Sequence, residues 1–390
     1  MTKVTLLSLG ASSVRHQVSI QAFSESRPPF PCSAQVFPHQ NVRFPSIPAH
    51  LNVHSNHISF RNRSALNFRL IRFLTRPGHV HASSILSSPR YLSNRHNLFH
   101  LVSRPAFTGY WILESSLTQP QPPKTSDITI FYLHGGGYFS SQPGTYLLFL
   151  LRLAESILAQ GQTVSIFALD YHLAPEHCYP TQLREAAAAY SYLIKDQGIP
   201  PEKIVVAGDS AGAHLALSFL VDLQTSEEKP SKPAGLVLIS PWLSLHHTPS
   251  TNADRDCLSA SFLEATAKRF LGPSFREEEK FSPTLEFLTP QPAIDWGAVL
   301  PVWIWVSAGT NEVLFDDAVK WVQGMEDGLG RERVEKAFAE GEVHAWQWLE
   351  TMDEGAKGRF LEKVGEFREE FRGVEQIGRV IGEKMGNGER

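Results

Sequence analysis

The fold is decided by residues 203–223, KIVVAGDSAGAHLALSFLVDL. A β-rich run ends here in Gly208-Asp209-Ser210-Ala211-Gly212, and a helical run follows at once. A serine on so sharp a strand-to-helix turn projects out of the sheet, and the glycines are needed because side chains there would collide with neighbouring backbone. The turn also sets the Ala211 amide at a helix N-terminus, where it can stabilise a developing negative charge. The pattern predicts Ser210 as a nucleophile and Ala211 as one donor of an oxyanion hole.

On both sides of this stretch, short β-rich runs alternate with helical ones. The predicted strands are Ile128–Leu133, Thr163–Leu169, Lys203–Ala207, Gly235–Ser240, Pro301–Ser307 and Val334–Ala339, and the predicted helices are 145–159, 181–196, 211–224 and 315–328. Such alternation is typical of an α/β protein whose mostly parallel sheet is covered by helices on both faces. The run 351–372 carries apolar residues at helical spacing and is predicted to pack as a closing helix.

A second motif, His134-Gly135-Gly136-Gly137, follows the first of these predicted strands. Consecutive glycines let backbone N–H groups approach a substrate closely and point at one place, as an oxyanion hole requires. A phosphate-binding loop would continue with Lys and Ser or Thr, whereas this chain continues with Tyr138 and Phe139. We therefore interpret residues 134–137 as an oxyanion loop and His134 as a brace for that loop.

A serine nucleophile also requires a base and an acid that orients the base. When they follow the last two strands of the sheet, the chain order is serine, acid, histidine. Glu312, Asp316 and Asp317 come after the predicted strand 301–307, and His344 comes after the last one. We predict His344 as the base and Glu312 as the acid, because Glu312 is nearest the strand end. Asp316 and Asp317 are its rivals.

Together these residues resemble the hormone-sensitive lipase family of α/β-hydrolases. The resemblance rests on HGGG at 134–137, GDSAG at 208–212, DYHLAPEH at 170–177, SPW at 240–242, SP at 282–283 and His344, and it covers about residues 106–370. It implies the α/β-hydrolase fold with a cap formed by N-terminal residues and the insertion at 241–300. It also implies a serine esterase that acts on small-molecule carboxylic esters of short or medium acyl chains, without cofactor or metal. By position, the resemblance makes Gly136, Gly137 and Ala211 the donors of the oxyanion hole.

The chain departs from the family pattern in two places. The family's acid is usually Asp, whereas Glu312 stands here. The N-terminal hundred residues do not match the expected cap helices, which leaves the choice of ester open.

The 390 residues divide by composition into three parts. Residues 1–105 are predicted to be an N-terminal extension, partly disordered or contributing to the cap, residues 106–375 the hydrolase domain, and residues 376–390 a C-terminal tail. Residues 1–113 hold 12 Arg or Lys and a single acid, Glu25. These basic residues are scattered and carry no recognised binding motif, so a nucleic-acid partner is not expected.

Targeting signals are weak. No stretch reaches the roughly 18 apolar residues that span a bilayer, and the N-terminus lacks a convincing signal peptide. Three cysteines, an odd number far apart in the chain, argue against a disulfide framework. These features favour an intracellular, cytoplasmic protein, although the Arg- and Ser-rich N-terminus is also compatible with organelle targeting. The oligomeric state is left open.

Two other functions use the same scaffold. A deacetylase or amidase of one small molecule would need the same triad chemistry. A non-catalytic relative that binds a small molecule would not need the histidine. Because Ser210, a carboxylate and His344 are all present, catalysis is the simpler interpretation.

Overall fold

The computed structural model describes residues 78–112, 123–226, 230–246, 250, 252, 254–276, 279, 281–288, 294–362 and 371–386. All of them lie in one compact unit, Cys32–Arg390. Residues 1–77 of the predicted extension and residues 387–390 of the predicted tail lie outside the described residues.

One sheet of eight strands organises the molecule, in the order β1-β2-β4-β3-β5-β6-β7-β8. The strands are β1 His100–Arg104, β2 Phe107–Ile112, β3 Ile128–Leu133, β4 Val164–Leu169, β5 Ile204–Asp209, β6 Gly235–Ile239, β7 Trp303–Gly309 and β8 Val334–Ala339. β1 and β2 pair antiparallel, β2 pairs antiparallel with β4, and every pairing from β4 through β8 is parallel. The predicted α/β class with a mostly parallel sheet is therefore confirmed.

Helices cover both faces of this sheet. They are α1 Gly78–Leu86, α2 Leu147–Leu158, α3 Thr181–Ser191, α4 Ala211–Thr225, α5 Ala260–Leu271, α6 Trp296–Val299, α7 Phe315–Leu329, α8 Trp346–Glu350, α9 Glu354–Glu362 and α10 Arg372–Gly386. One apolar core joins α3, α4 and α7 to one side of the strands, and a second joins α1, α2 and α10 to the other. Every residue of β3 to β7 is buried, as expected for strands packed on both faces.

The fold begins before residue 106 and continues past residue 375. Most of β1 is exposed, so it lacks the apolar alternation that marks a half-buried strand. α10 packs against α2, although its glycines lower its helix propensity. The predicted helix over 351–372 corresponds to α9 in part, because residues 363–370 lie outside the described residues.

The structure also bears on membrane-spanning segments and on the cysteines. Among the described residues, no helix has the length and apolar character needed to cross a membrane. Cys257 is a free thiol of intermediate exposure.

Candidate active site

Ser210 occupies the sharp turn between β5 and α4. Its backbone has φ 52° and ψ −116°, a strained conformation for a residue with a side chain. Hydrogen bonds hold it there: its N–H donates to the Ile239 carbonyl at 2.9 Å, and its carbonyl accepts from the His214 N–H at 3.1 Å. A Cβ on Gly212 would lie 1.9 Å from the Leu133 carbonyl oxygen, so only glycine lets α4 begin this close to β3. The turn therefore has the geometry that the sequence pattern predicts.

Asp209 joins this turn to the glycine loop that follows β3. One carboxylate oxygen accepts from the Tyr132 hydroxyl at 2.7 Å and from the Gly135 N–H at 2.8 Å, and the other accepts from the Tyr146 hydroxyl at 2.8 Å. Burial raises the pKa of Asp209, while these three donors act to lower it. A buried carboxylate that accepts several such bonds fixes the loop rigidly against the turn that carries Ser210.

The glycine loop adopts a conformation that side chains disfavour. Gly136 has φ +104° and Gly137 φ +61°, and a Cβ on Gly136 would lie 2.4 Å from the Ser140 carbonyl oxygen. The Gly136 carbonyl accepts from two N–H groups of the same loop, at 3.1 and 3.2 Å. The N–H groups of Gly136, Gly137 and Ala211 donate to no acceptor among the described residues, so all three are free to bind an oxyanion.

His134 is part of the scaffold of this loop. Its ring is buried and stacks on Tyr171 with centroids 4.1 Å apart, and its Nδ1 lies 2.8 Å from the Gly135 carbonyl oxygen. Burial lowers the pKa of His134 to about 4. The imidazole is therefore neutral near pH 7 and suits a bracing role.

Glu312 and His344 form a buried pair at the carboxyl ends of β7 and β8. His344 Nδ1 lies 3.2 Å from a Glu312 carboxylate oxygen. Burial raises the pKa of Glu312, against the opposing effect of His344. Burial alone would lower the pKa of His344, but the carboxylates of Glu312, Asp256 and Asp209 together outweigh it, so the pKa lies above its ordinary value. Such a pair can fix the tautomer of an imidazole and stabilise it when it takes up a proton.

The rival carboxylates lie elsewhere. Asp316 is exposed in the first turn of α7. Burial and then Glu286 raise the pKa of Asp317 to about 6. Neither makes a contact with His344 in the part of the chain that the structure describes. Of the three acidic candidates, the structure brings only Glu312 to the histidine.

Ser240 is a member of the site that the sequence analysis missed. Its hydroxyl oxygen accepts the N–H of Ala345 at 2.9 Å, and the side chain is close enough to Glu312 to lower the pKa of that carboxyl. It has φ +45° and is fully buried, so its strained backbone aims the hydroxyl at these partners. The only signal in the sequence was its place in the Ser240-Pro241-Trp242 motif, to which no role was attached.

Among the described residues, no three His, Cys, Asp or Glu side chains are arranged to hold a metal ion. The chemistry available is that of a serine hydroxyl, an imidazole–carboxylate pair and backbone N–H donors.

Comparisons with known proteins identify the family and the relatives of this chain. A family model described as alpha/beta hydrolase fold matches residues 130–348. An acetyl-hydrolase of Streptomyces hygroscopicus is 30% identical over 254 residues, 63% of this chain and 77% of that protein. An esterase of Acinetobacter venetianus is 32% identical over 197 residues, 49% of this chain and 59% of that protein.

A solved structure shows the same architecture. The crystal structure of an esterase from the bacterial hormone-sensitive lipase family superposes with a TM-score of 0.59 at 22% identity, covering 82% of this chain and 98% of that one. At this identity the likeness establishes the fold alone. The predicted resemblance is confirmed by the family match together with these relatives.

Proposed function

This chain belongs to the alpha/beta hydrolase fold family and is a carboxylic ester hydrolase, and we propose that Ser210, His344 and Glu312 perform the reaction through an acyl-enzyme. The observation that carries the proposal is the buried Glu312–His344 pair, with 3.2 Å between carboxylate oxygen and Nδ1. With Nδ1 facing Glu312, Nε2 is the ring nitrogen left to act on the Ser210 hydroxyl.

The proposed reaction has two stages. His344 takes the Ser210 proton as the oxygen attacks the ester carbonyl, and the N–H groups of Gly136, Gly137 and Ala211 stabilise the tetrahedral oxyanion. The alcohol leaves with the proton from His344. Water, activated by the same histidine, then releases the acid and restores Ser210.

We propose short or medium acyl chains as substrates, because α5 lies directly on the oxyanion loop. The Phe139 and Phe262 rings meet edge to face with centroids 5.7 Å apart. A methyl group of Thr266 would lie 2.5 Å from a Cβ on Gly137. Large aromatic and branched side chains packed against the proposed oxyanion loop favour a small acyl group, in line with the name of the acetyl-hydrolase relative.

Hydrolysis of p-nitrophenyl esters from acetate to palmitate by the wild type and Ser210→Ala tests the proposal. We expect turnover that is highest for the short esters and abolished by the substitution. Because His344 must be neutral to accept the proton and its pKa is raised above 6.5, kcat/KM should fall on the acid side at a pH above 6.5. Full activity of folded Ser210→Ala would refute the assignment.

A deacetylase acting on amides is the second candidate, since the acetyl-hydrolase relative points to acetyl groups and not to one kind of leaving group. The comparison of p-nitrophenyl acetate with p-nitroacetanilide separates the two. Preference for the anilide, or no turnover of any ester by a folded protein, would favour the amidase or the non-catalytic interpretation.

A further inference from the structure

Asp256 lies in the insertion, far from the catalytic residues in sequence, yet its carboxylate contacts both loops that carry the acid–base pair. One oxygen accepts the N–H of Val313 at 2.8 Å, across 57 positions, and the other accepts the N–H of His344 at 3.1 Å, across 88 positions. Val313 follows Glu312 directly. A single side chain thus holds the backbone on which the predicted acid stands and the backbone of the predicted base.

We propose that Asp256 is a positioning residue. It holds the backbone of the loops that carry Glu312 and His344 at a fixed relative position, and so links the insertion at 241–300 to the proposed acid and base. The inference rests on the proposed function, because it concerns the same acid and base. A carboxylate suits the role because it has acceptor sites for several N–H groups at once, and such charge-assisted bonds are stronger than neutral ones. The Cys257 N–H donates at 2.7 Å to the same Asp256 oxygen that accepts the His344 N–H. This bond to the next residue in the chain helps to orient the carboxylate.

A second contact from the same segment supports the coupling. The Asn252 side-chain amide donates to the carbonyl oxygens of Thr310 at 2.9 Å and Glu312 at 3.1 Å. The Asn252 carbonyl in turn accepts the Asp256 N–H at 3.3 Å. The loop that carries the acid is therefore held by one N–H, that of Val313, through Asp256 and by two carbonyls through Asn252.

The other end of the same stretch of chain reaches the oxyanion loop. Phe270, in the last turn of α5, stacks on Tyr138 with centroids 3.7 Å apart and planes 10° apart. Residues 254–271 thus contact the loops of all three catalytic functions: base, acid and oxyanion donors. Displacement of this segment would disturb the base and the oxyanion loop together.

Asp256 also acts on His344 by its charge. The carboxylates that face His344 are Glu312, Asp256 and Asp209, in decreasing order of effect, and each raises the pKa of the imidazole. Removal of the Asp256 charge leaves the other two in place and lowers the pKa of His344. A merely structural residue would not move this titration.

Asp256→Asn, compared with Asp327→Asn as a matched control, tests the proposal. Asp327 is exposed in α7, where it accepts from the Gln323 side chain at 2.9 Å, so its substitution makes the same chemical change on a helix surface. For Asp256→Asn we expect a loss of about 10-fold or more in kcat on p-nitrophenyl acetate, because the amide offers one neutral acceptor oxygen where the carboxylate offers two charged ones. KM should change little, and the acid limb of the kcat/KM profile should move to lower pH. The control should match the wild type in both respects.

Wild-type kcat and an unmoved acid limb in folded Asp256→Asn would overturn the inference and leave the proposed function intact. Failure of the proposed function itself would show instead as activity retained by Ser210→Ala. If Asp256→Asn does not fold, Asp256→Ser, whose small hydroxyl can accept one of the two N–H groups, is judged by the same two outcomes.

Discussion

The two halves of the site are built in different ways. The half around the proposed nucleophile, called the nucleophile half, consists of Ser210, Asp209 and the loop 134–137, and the parallel neighbours β3 and β5 bring it together. The half around the proposed acid and base, called the acid–base half, consists of Glu312, His344, Ser240 and Asp256, which belong to four separate segments of the chain. Side-chain-to-backbone bonds between distant segments hold this second half in place. The first half is therefore local to two strand ends, whereas the second depends on contacts that no short motif describes.

The largest effect is expected from Glu312→Gln, which breaks the acid–base half at its centre. An amide in place of the carboxylate can donate to Nδ1 and stabilise the wrong tautomer, so kcat should fall by about 10³- to 10⁴-fold with the fold intact. The measurement is kcat on p-nitrophenyl acetate, with circular dichroism to verify folding. Asp316→Asn is the matched control, because Asp316 is exposed one helical turn away. If the control loses activity and Glu312→Gln does not, the acid is misassigned.

Asp209→Asn attacks the nucleophile half. Its amide nitrogen would face one of the three donors that the carboxylate now accepts, which leaves that donor unsatisfied and shifts the oxyanion loop. We expect kcat to fall by about 10²-fold, as when one oxyanion donor is lost, together with a lower melting temperature. Tyr146→Phe, which removes one donor and leaves the charge in place, should show a smaller loss of both. Equal losses in the two variants would mean that the carboxylate charge contributes nothing to the loop.

Ser240→Ala is expected to have a more modest effect on the acid–base half. The Ala345 N–H loses its acceptor and Glu312 loses a polar neighbour, while Asp256 still holds the His344 backbone. A loss of about 10-fold in kcat corresponds to ~1.4 kcal/mol. Ser240→Thr, which keeps the hydroxyl, should recover part of the activity. An alanine variant as active as the wild type would show that Asp256 alone suffices.

The last expected effect is on stability in acid rather than on turnover, and it comes from His134 of the nucleophile half and from His214 in α4. Burial lowers the pKa values of His134 and His214 to about 4. Because the unfolded chain binds these protons near pH 6.5, the stability that the neutral rings supply is present above that pH and is lost as pH falls toward 4. Between pH 6.5 and 5 this amounts to about 2 kcal/mol per histidine.

Melting temperatures at pH 7 and pH 5 measure this loss. His214 accepts from or donates to the Tyr138 hydroxyl at 2.6 Å, and its other nitrogen lies 3.1 Å from the Leu285 carbonyl oxygen. His214→Gln, which cannot titrate, should lose less stability between the two pH values than the wild type. An equal loss in both would place the acid sensitivity outside this buried histidine.

Sequence patterns were sufficient where the structure is local. The predicted strands 128–133 and 334–339 have the bounds of β3 and β8, and α4 begins at Ala211 as the nucleophile motif requires. A buried parallel strand followed by a glycine-flanked turn leaves few alternatives, because each residue of the motif answers a steric demand. The order of acid and base along the chain follows from the same topology.

Patterns were insufficient where packing overrides local preference. Gly378 in α10 counts against a helix by propensity, yet a Cβ there would lie 2.5 Å from the Ser156 side chain, so the glycine permits α10 to approach α2. Local sequence patterns also fail to predict the place of Asp256 in the site. Its partners are 57 and 88 positions away, and a lone aspartate in a polar insertion gives no sign of them.

Covalent labelling of the serine is the most direct test of the central claim, that Ser210 is the nucleophile of the reaction. Wild type and Ser210→Ala are mixed with an alkyl fluorophosphonate, which captures an activated serine, and the modified peptide is found by mass spectrometry. We predict one adduct per chain on Ser210 in the wild type, loss of esterase activity in proportion to labelling, and no adduct in Ser210→Ala. Labelling of another residue, or an unlabelled wild type that still hydrolyses esters, would contradict the account.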